Sequence, residues 1–188
     1  MKVLKTLVLA LVVLAFGAGG ALAQDREKSK KQAEIRQASN TALERFYKAE
    51  PKLKGEVTSA PGYAVFTTYG LSFLIGGAGG SGMVHDNKAN KNYYMNMAQA
   101  SAGLQLGASE TQHLIVFKTA KAMNDFVNKG WEVGAGGGAS AGTGKSSVGG
   151  SAGANAIADA QFYTITKTGL EAGGAVAGTK FWKDKELN

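Results

Sequence analysis

Three short stretches of the sequence carry residue patterns that other proteins use for catalysis or for binding nucleotides. Residues 138–142 read GASAG, the spacing of a serine nucleophile held at a strand-to-helix turn. Residues 143–146 read TGKS, which ends like a phosphate-binding loop. Residues 77–82 read GAGGSG, which fits the G-x-G-x-x-G pattern of a dinucleotide-binding turn. Each pattern predicts an enzyme or a cofactor site only if its neighbouring elements fit the chemistry.

The neighbours of Ser140 and Lys145 argue against both catalytic patterns. The residues after Ser140 are mostly glycine and serine and show no helical periodicity. A hydrolase of this type needs an acid and then a histidine after the serine, whereas both histidines, His85 and His113, precede it. The phosphate-binding loop requires glycine at position 139, where the chain has Ala139. We therefore predict neither a catalytic serine nor a nucleotide site.

The remaining candidates also lack partners. Residues 77–82 are followed by a polar hairpin segment rather than by a helix, so we predict a glycine-rich bend where strands pack closely. His85 and Asp86 could supply two metal ligands, but no third ligand follows at a recognisable spacing, which favours a surface turn. His113 opens an apolar strand and is predicted to be a packed core histidine. We expect a protein that is not an enzyme and has no metal or cofactor.

The amino terminus has the pattern of a secretory signal peptide over residues 1–23. Lys2 and Lys5 precede an apolar run at 7–16, and Ala21–Ala23 supplies a small-residue cleavage site. The apolar run is about half as long as a membrane-spanning helix requires. The sequence contains no cysteine, which excludes disulfides, a thiol nucleophile and acylation at the signal sequence. We expect export to the periplasm or cell envelope.

An amphipathic helix is predicted over Asp25–Glu50, ending before Pro51, with a short second helix over 51–59. Its apolar positions recur at three- and four-residue steps: Ile35, Ala38, Ala42, Leu43, Phe46 and Tyr47. Its first half carries a basic group that could lie on an anionic membrane: Arg26, Lys28, Lys30, Lys31 and Arg36. The alternative is a solvated helix that docks on a sheet through Ile35, Leu43 and Phe46. The formal net charge of +7 favours anionic partners without requiring nucleic acid.

The chain changes to strand patterns at Gly62. We predict strands at 62–70 and 71–86, a turn at 86–92, and one long strand over Tyr93–Ala108. The alternation in this long strand assigns Tyr94, Ala98, Ala100, Ala102, Leu104, Leu106 and Ala108 to the core face. The 27 glycines and two prolines indicate closely packed strands and tight turns.

The second half repeats this character around one more helix. A buried strand at 113–118 precedes a helix that Thr119 caps and Gly130 ends, with Met123, Phe126 and Val127 on one face. A strand from Trp131, a Gly/Ser loop at 139–153, and a closing hairpin of 161–167 with 170–182 complete the pattern. The predicted fold class is α+β: an N-terminal amphipathic helix packed on a curved, Gly-rich antiparallel sheet or barrel with one inserted helix.

Several segments together resemble the SYLF domain, the lipid-binding family that includes the Las17-binding actin regulators. They are GYAVFTTYG, IGGAGGSG, YYMNMAQASAGLQLGA, LIVFKTAKAMNDFVNKGWEVGA and TKTGLEAGGAVAGTKFWKDKELN, between Gly62 and Asn188. The resemblance predicts one domain, in which a helical region at 24–61 accompanies a β-rich region at 62–188. It implies a non-catalytic domain that binds phosphoinositides or other anionic lipids through a basic N-terminal region, here Arg26, Lys28, Lys30 and Lys31.

Export changes what the resemblance implies for partners. Actin binding is associated with eukaryotic members of the family, but an exported protein would not meet actin, so anionic phospholipid is the expected partner. The alternative is a structural envelope protein that binds another protein or self-assembles through uncovered sheet edges. We expect no nucleic-acid partner.

Overall fold

A computed structural model describes residues 2–73, 75–101, 107–133, 139–141, 159–166, 169–172 and 178–188, and it gives α1 side chains from Gln24 onward. These residues form three helices and nine strands, which confirms the predicted α+β class. The helices are α1 (Lys2–Ala49), α2 (Lys52–Ser59) and α3 (Ala120–Lys129). The strands are β1 (Gly62–Phe73), β2 (Ile75–Asp86), β3 (Lys91–Ser101), β4 (Gly107–Phe117), β5 (Trp131–Val133), β6 (Ala139–Ala141), β7 (Ala160–Thr166), β8 (Gly169–Ala172) and β9 (Thr179–Lys183).

The strands form one antiparallel sheet in the order β6-β5-β9-β3-β2-β1-β4-β7-β8, which curls into a half-barrel. The centre is the meander β1–β2–β3, whose hairpin turn occupies residues 87–90, as predicted for 86–92. β4 pairs with the other side of β1, and β9 brings the carboxy-terminal part of the chain against β3 and β5. The residues that follow β9 therefore lie beside β3, on the side of the sheet that β3 and β9 form, here called the β3–β9 side.

The sheet is covered on both faces because its strands carry apolar side chains on both. Inside the curl lies the aromatic core, which α3 closes; its rings belong to Phe66, Phe117, Phe126, Trp131, Phe162 and Phe181. On the outer face lies the helix-side cluster, where α1 and α2 pack on β1, β4 and β7 through Ala42, Leu43, Phe46, Leu53, Val57, Val65, Leu114, Val116 and Ile165. The predicted docking of α1 through Leu43 and Phe46 is confirmed.

The inserted helix α3 matches its sequence prediction closely. The Thr119 hydroxyl accepts a hydrogen bond from the backbone N–H of Ala122 at 3.2 Å, which satisfies one free donor of the first turn. Met123, Phe126 and Val127 are buried on one face. Gly130 ends the helix with a φ of 69°, a conformation that glycine adopts without steric cost.

The prediction of one long strand over Tyr93–Ala108 is wrong. β3 ends at Ser101, and Gly107 begins β4, which is separated from β3 by β2 and β1 in the sheet. The predicted core face is also wrong, because Met95 and Met97 face the aromatic core while Tyr94 packs on the α1 side. Both faces of β3 are covered, so simple alternation of small and apolar residues could not identify the inner one.

The predicted closing hairpin is half right. β7 and β8 pair as a hairpin, with Thr166 opposite Gly169. Residues 179–182 instead belong to β9, on the far side of the sheet beside β3. The predicted loop at 139–153 begins with three residues that form β6, and its other residues lie outside the described part of the chain. Pairing with strands that are distant in the sequence decides the position of β9 and the formation of β6, and no local sequence pattern indicates that pairing.

The glycine pattern at 77–82 lies within β2, in continuous pairing with β1 and β3. A Cβ on Gly80 would overlap the Thr67 carbonyl oxygen, and one on Gly82 would overlap the Val65 carbonyl oxygen and the Phe66 ring. The predicted close packing of strands is therefore confirmed at these two positions, whereas the predicted bend is wrong, because residues 77–82 continue one paired strand. No helix opens there to receive a phosphate, since the next residues complete β2 and its hairpin turn.

Candidate functional site: the basic part of α1 and the carboxy-terminal segment

The basic part of α1, residues 26–36, lies over the β3–β9 side of the sheet. Ile35 packs against a small cluster of Met83, Tyr94 and Leu187, whereas Phe46, further along the helix, belongs to the helix-side cluster. The inward positions recur at three- and four-residue steps, as expected for one face of a helix. These two parts of α1 therefore rest on different strands, and the contacts of the basic part are separate from those of Phe46.

Two of the five predicted lipid-binding residues form hydrogen bonds within the chain. Lys28 Nζ donates a hydrogen bond to the backbone carbonyl of Asn188 at 3.1 Å. Arg36 Nη1 donates one to the Tyr94 hydroxyl at 3.4 Å, although Arg36 is itself exposed. A headgroup would have to compete with these two hydrogen bonds.

The other three basic residues are exposed. Lys30 Nζ lies 4.0 Å from the Glu34 carboxylate, but its side chain is 77% exposed, so this ion pair contributes little. Arg26 and Lys31 are exposed and form no hydrogen bond or ion pair with the described residues. The structure thus divides the predicted set into Arg26, Lys30 and Lys31, which have no hydrogen bond to the described residues, and Lys28 and Arg36, which have one each.

A carboxy-terminal strap, residues 184–188, holds the basic part of α1 on the sheet. Gln32 Nε2 donates to the Leu187 carbonyl at 2.7 Å, and the Leu187 side chain is buried. The Asp184 carboxylate accepts from the backbone N–H groups of Glu186 and Leu187 at 2.9 and 3.1 Å, which folds the strap back on itself. Sequence analysis assigned no structural role to this segment; its single leucine among polar residues was the available signal.

The side chain of Asn188 extends the sheet by acting like a strand partner. Its Oδ1 accepts from the Tyr94 backbone N–H at 3.0 Å, and its Nδ2 donates to the Tyr94 carbonyl at 2.7 Å. Asn96 Nδ2 donates to the Asp184 carboxylate at 3.1 Å. The strap is therefore attached to β3 on one side and to α1 on the other.

A second basic group surrounds Tyr93 of β3, whose ring packs against the aromatic core and not on the α1 side of the sheet. The Nζ atoms of Lys91 and Lys183 lie 4.9 and 5.4 Å from the centroid of the Tyr93 ring. These distances are within the range of cation–π attraction. Sequence analysis missed this group because Lys91 and Lys183 are far apart in the chain and meet only through the pairing of β3 with β9.

Each of the two histidines lies within hydrogen-bond distance of neighbouring polar side chains. His85 Nδ1 lies 2.6 Å from Asn92 Oδ1 across the β2–β3 hairpin. The ring of His113 is buried between two threonine hydroxyls, with Nε2 at 3.3 Å from Thr68 Oγ1 and Nδ1 at 3.3 Å from Thr164 Oγ1. Burial lowers the pKa of His113 to about 4, because the charged imidazolium loses its hydration. The prediction of a packed core histidine is confirmed.

Among the described residues, the two catalytic patterns do not have the surroundings that their chemistry requires. Ser140 lies in β6, opposite Glu132 of β5, rather than at a strand-to-helix turn. Residues 143–146 lie outside the described part of the chain. Among the described residues, no three His, Asp or Glu side chains come together in a way that could hold a metal ion. Where the structure gives side chains, no helix is long and apolar enough to cross a membrane.

Residues 98–188 match the family model Ysc84, described as "Las17-binding protein actin regulator". The region 98–188 therefore belongs to this family. It is also 32% identical over 162 residues to Beta cell expansion factor A of Aeromonas veronii, an alignment that covers 85% of this chain. The chain spans 60% of the length of that relative. The predicted SYLF resemblance is confirmed.

The Ysc84 match and the basic helix occupy different parts of the chain. The matched region includes part of β3, then β4, α3, β5–β9 and the carboxy-terminal strap, but it begins after α1 and α2. The strap therefore joins the family region to the basic part of α1. The lipid-binding role of the five basic residues stays a prediction.

Proposed function

We propose that this Ysc84-family protein is an exported, non-catalytic protein that binds anionic phospholipid surfaces through exposed basic residues of α1. The observation that carries the proposal is the exposure of Arg26, Lys30 and Lys31 on a helix that is docked through other residues. Cations near an anionic bilayer each contribute about 1 kcal/mol of attraction. Arg26 and Lys30 lie four residues apart on one face of this helix, so these two can reach the same surface together.

Family membership supports lipid binding at a general level. The family description names a protein, Las17, and actin regulation. An exported protein would not meet actin, so we infer that the lipid-directed property is the relevant one. Phosphoinositide binding rests on the family resemblance alone, and we propose anionic phospholipid as the broader class.

Vesicle co-sedimentation tests this proposal. The purified protein should bind vesicles containing anionic phospholipid, bind neutral phosphatidylcholine vesicles much less, and lose binding as salt rises. Replacing Arg26, Lys30 and Lys31 by glutamine should weaken binding by up to about 3 kcal/mol, more than a hundredfold, if the contacts add. Glutamine is a good helix former, so α1 should stay helical.

A matched control removes the same charge elsewhere. Lys48, Lys52 and Lys54 are exposed on the end of α1 and on α2, away from the basic part of α1. Glutamine at these three positions should leave vesicle affinity within a few-fold of the parent. Equal losses of vesicle affinity in both triple variants would mean that net charge alone drives binding. Unchanged affinity in the variant of Arg26, Lys30 and Lys31 would indicate that the ligand site lies on the sheet.

A protein partner is the second candidate, favoured by the open edges of the sheet. β6 and β8 lie at the two ends of the strand order, and each has one pairing neighbour among the described strands. Both are short, which limits the length of any added strand. A stable oligomer in light scattering combined with the absence of vesicle binding would favour this candidate over lipid recognition.

A further inference from the structure

Trp182 is an exposed tryptophan near the end of β9. It is 40% exposed, whereas Trp131, the other tryptophan of the chain, is buried in the aromatic core. Successive side chains of a strand point to opposite faces, and Phe181 lies in the aromatic core, so Trp182 faces the α1 side of the sheet. Its pairing with Asn96, two residues beyond Tyr94, agrees with this placement. The indole ring is therefore positioned by the sheet and partly open to solvent.

Four lysines lie at the same end of the sheet. Because β3 and β9 are antiparallel, the end of β9 lies toward the start of β3 and the β2–β3 turn. Lys91 and Lys183 lie over the Tyr93 ring. Lys88 belongs to the turn and Lys185 to the carboxy-terminal strap, and both are exposed. None of the four lysines forms an ion pair with the described residues. With the two aromatic residues they form the aromatic–basic rim: Tyr93, Trp182, Lys88, Lys91, Lys183 and Lys185.

The acidic residues at this end of the sheet compensate these lysines only in part. The Asp86 carboxylate accepts two hydrogen bonds from backbone N–H groups of the β2–β3 turn, at 2.9 and 2.8 Å. The Asp184 carboxylate accepts two from the strap, at 2.9 and 3.1 Å, and one from Asn96 at 3.1 Å. Glu186 is exposed and offsets one positive charge. The rim therefore presents four ammonium groups without a carboxylate partner among the described residues, while two of the three nearby carboxylates are engaged in turns.

This combination of side chains suits the interface of a lipid bilayer. Tryptophan and tyrosine rings are amphipathic and concentrate at the level of the headgroups, where the ring is in an apolar environment and its polar group meets water. Lysine stems lie along apolar surface while their ammonium groups reach phosphates. An anionic bilayer offers many phosphates in one plane, which matches lysines that are spread over a turn, two strands and the strap. A single small anion could contact only some of them.

We propose that the aromatic–basic rim enters the headgroup region of an anionic phospholipid bilayer, with Trp182 as the penetrating side chain. The four lysines bind phosphates, and the indole ring lies among the headgroups. This inference rests on the proposed lipid-binding function and adds a contact surface that α1 does not supply. The carboxy-terminal strap joins the two surfaces, because it begins directly after Lys183 and accepts a hydrogen bond from Lys28 of α1 at the Asn188 carbonyl.

Tryptophan fluorescence tests the insertion directly, because the second tryptophan, Trp131, is buried. The full chain is titrated with vesicles that contain phosphatidylglycerol and with vesicles of phosphatidylcholine alone. With the phosphatidylglycerol vesicles, the emission should move to shorter wavelength and should be quenched by brominated acyl chains. Trp182→Phe, in which Trp131 is the only tryptophan, should show neither change. Co-sedimentation of the parent with these vesicles, without any change in its emission, would overturn the insertion.

Trp182→Ala separates the apolar contribution from the charge. It should weaken binding to phosphatidylglycerol vesicles by roughly ten-fold, as expected when about 60 Å² of apolar contact is lost. This factor should persist as salt rises, because salt does not screen an apolar contact. Lys91→Gln combined with Lys183→Gln should weaken binding by up to about thirty-fold at low salt and little at high salt. Tyr69→Ala is the control, since Tyr69 is 66% exposed but lies on β1, three strands from β9, and it should leave the affinity unchanged.

The outcomes separate this inference from the proposed function. If the parent and Trp182→Ala bind anionic vesicles equally, with the same melting temperature, the rim is refuted and the contact through α1 stands. If the parent does not bind anionic vesicles, both proposals are refuted. If Trp182→Ala instead abolishes an oligomer seen by light scattering and leaves vesicle binding unchanged, Trp182 belongs to a protein contact and the inference is wrong.

Discussion

The carboxy-terminal strap should control how firmly the basic part of α1 is docked, and Leu187→Ala tests this. Leu187 is 6% exposed and packs with Ile35, Met83 and Tyr94 at the β3–β9 side of the sheet. Truncating a buried leucine to alanine costs about 2–5 kcal/mol. The cluster is small and lies at the surface, where neighbours can close the cavity, so we expect the lower end, about 2 kcal/mol.

The loss should be local rather than global. The basic part of α1 rests on Leu187 and on hydrogen bonds from Lys28 and Gln32 to the strap, whereas residues 42–46 pack on the helix-side cluster. In amide hydrogen exchange, residues 24–36 should lose protection in Leu187→Ala, while residues 42–46 should keep theirs. Local opening of this kind occurs when one part of an element has fewer buried contacts than the rest.

Leu53→Ala is the matched control, since Leu53 is 1% exposed and belongs to the helix-side cluster. It removes the same atoms and should lower the free energy of global unfolding by about 3 kcal/mol, without selective loss of protection at 24–36. Identical exchange patterns in the two variants would refute the reasoning. So would unchanged protection at 24–36 in Leu187→Ala, because the strap would then not hold the helix.

Three further predictions concern the sheet and α3. Burial lowers the pKa of His113 to about 4 from its ordinary 6.5, so between those pH values only the unfolded chain binds this proton. The free energy of unfolding should therefore fall by up to about 3 kcal/mol as the pH drops from 6.5 to 4. In urea unfolding measured over this pH range, His113→Gln should show a smaller fall. Gly82→Ala should destabilise the fold by at least 1–3 kcal/mol through overlap with β1, whereas Gly79→Ala, which meets open space, should change the thermal midpoint little. Thr119→Ala should cost about 1 kcal/mol in chemical denaturation and Thr119→Ser much less, because serine keeps the capping oxygen.

The local elements could be predicted from the sequence because their signals are local. The α3 boundaries follow from Thr119 and Gly130, whose cap and left-handed conformation depend only on adjacent backbone. The docked face of α1 follows from the three- and four-residue spacing that ends in Phe46. The close strand packing at Gly80 and Gly82 follows from glycine itself, which is needed where a Cβ would overlap a neighbouring strand.

Strand order and the division of the basic residues required the tertiary structure. The predicted strand Tyr93–Ala108 joined β3 to the first two residues of β4 because the alternation of small residues continues through both, and only pairing with β1 separates them. β9 was grouped with β8 although it pairs with β3, since the sequence carries no mark of a partner more than 80 residues away.

The sequence by itself determined which residues are basic and that they share one helix with an apolar stripe. The tertiary structure decided which of those cations are engaged. Lys28 and Arg36 form hydrogen bonds with Asn188 and Tyr94, and Asn188 reaches α1 only because β9 pairs with β3. Arg26, Lys30 and Lys31 have no hydrogen bond with the described residues. Helical periodicity fixes the angle between two side chains, but the partner that occupies a face is set by the fold of the whole chain.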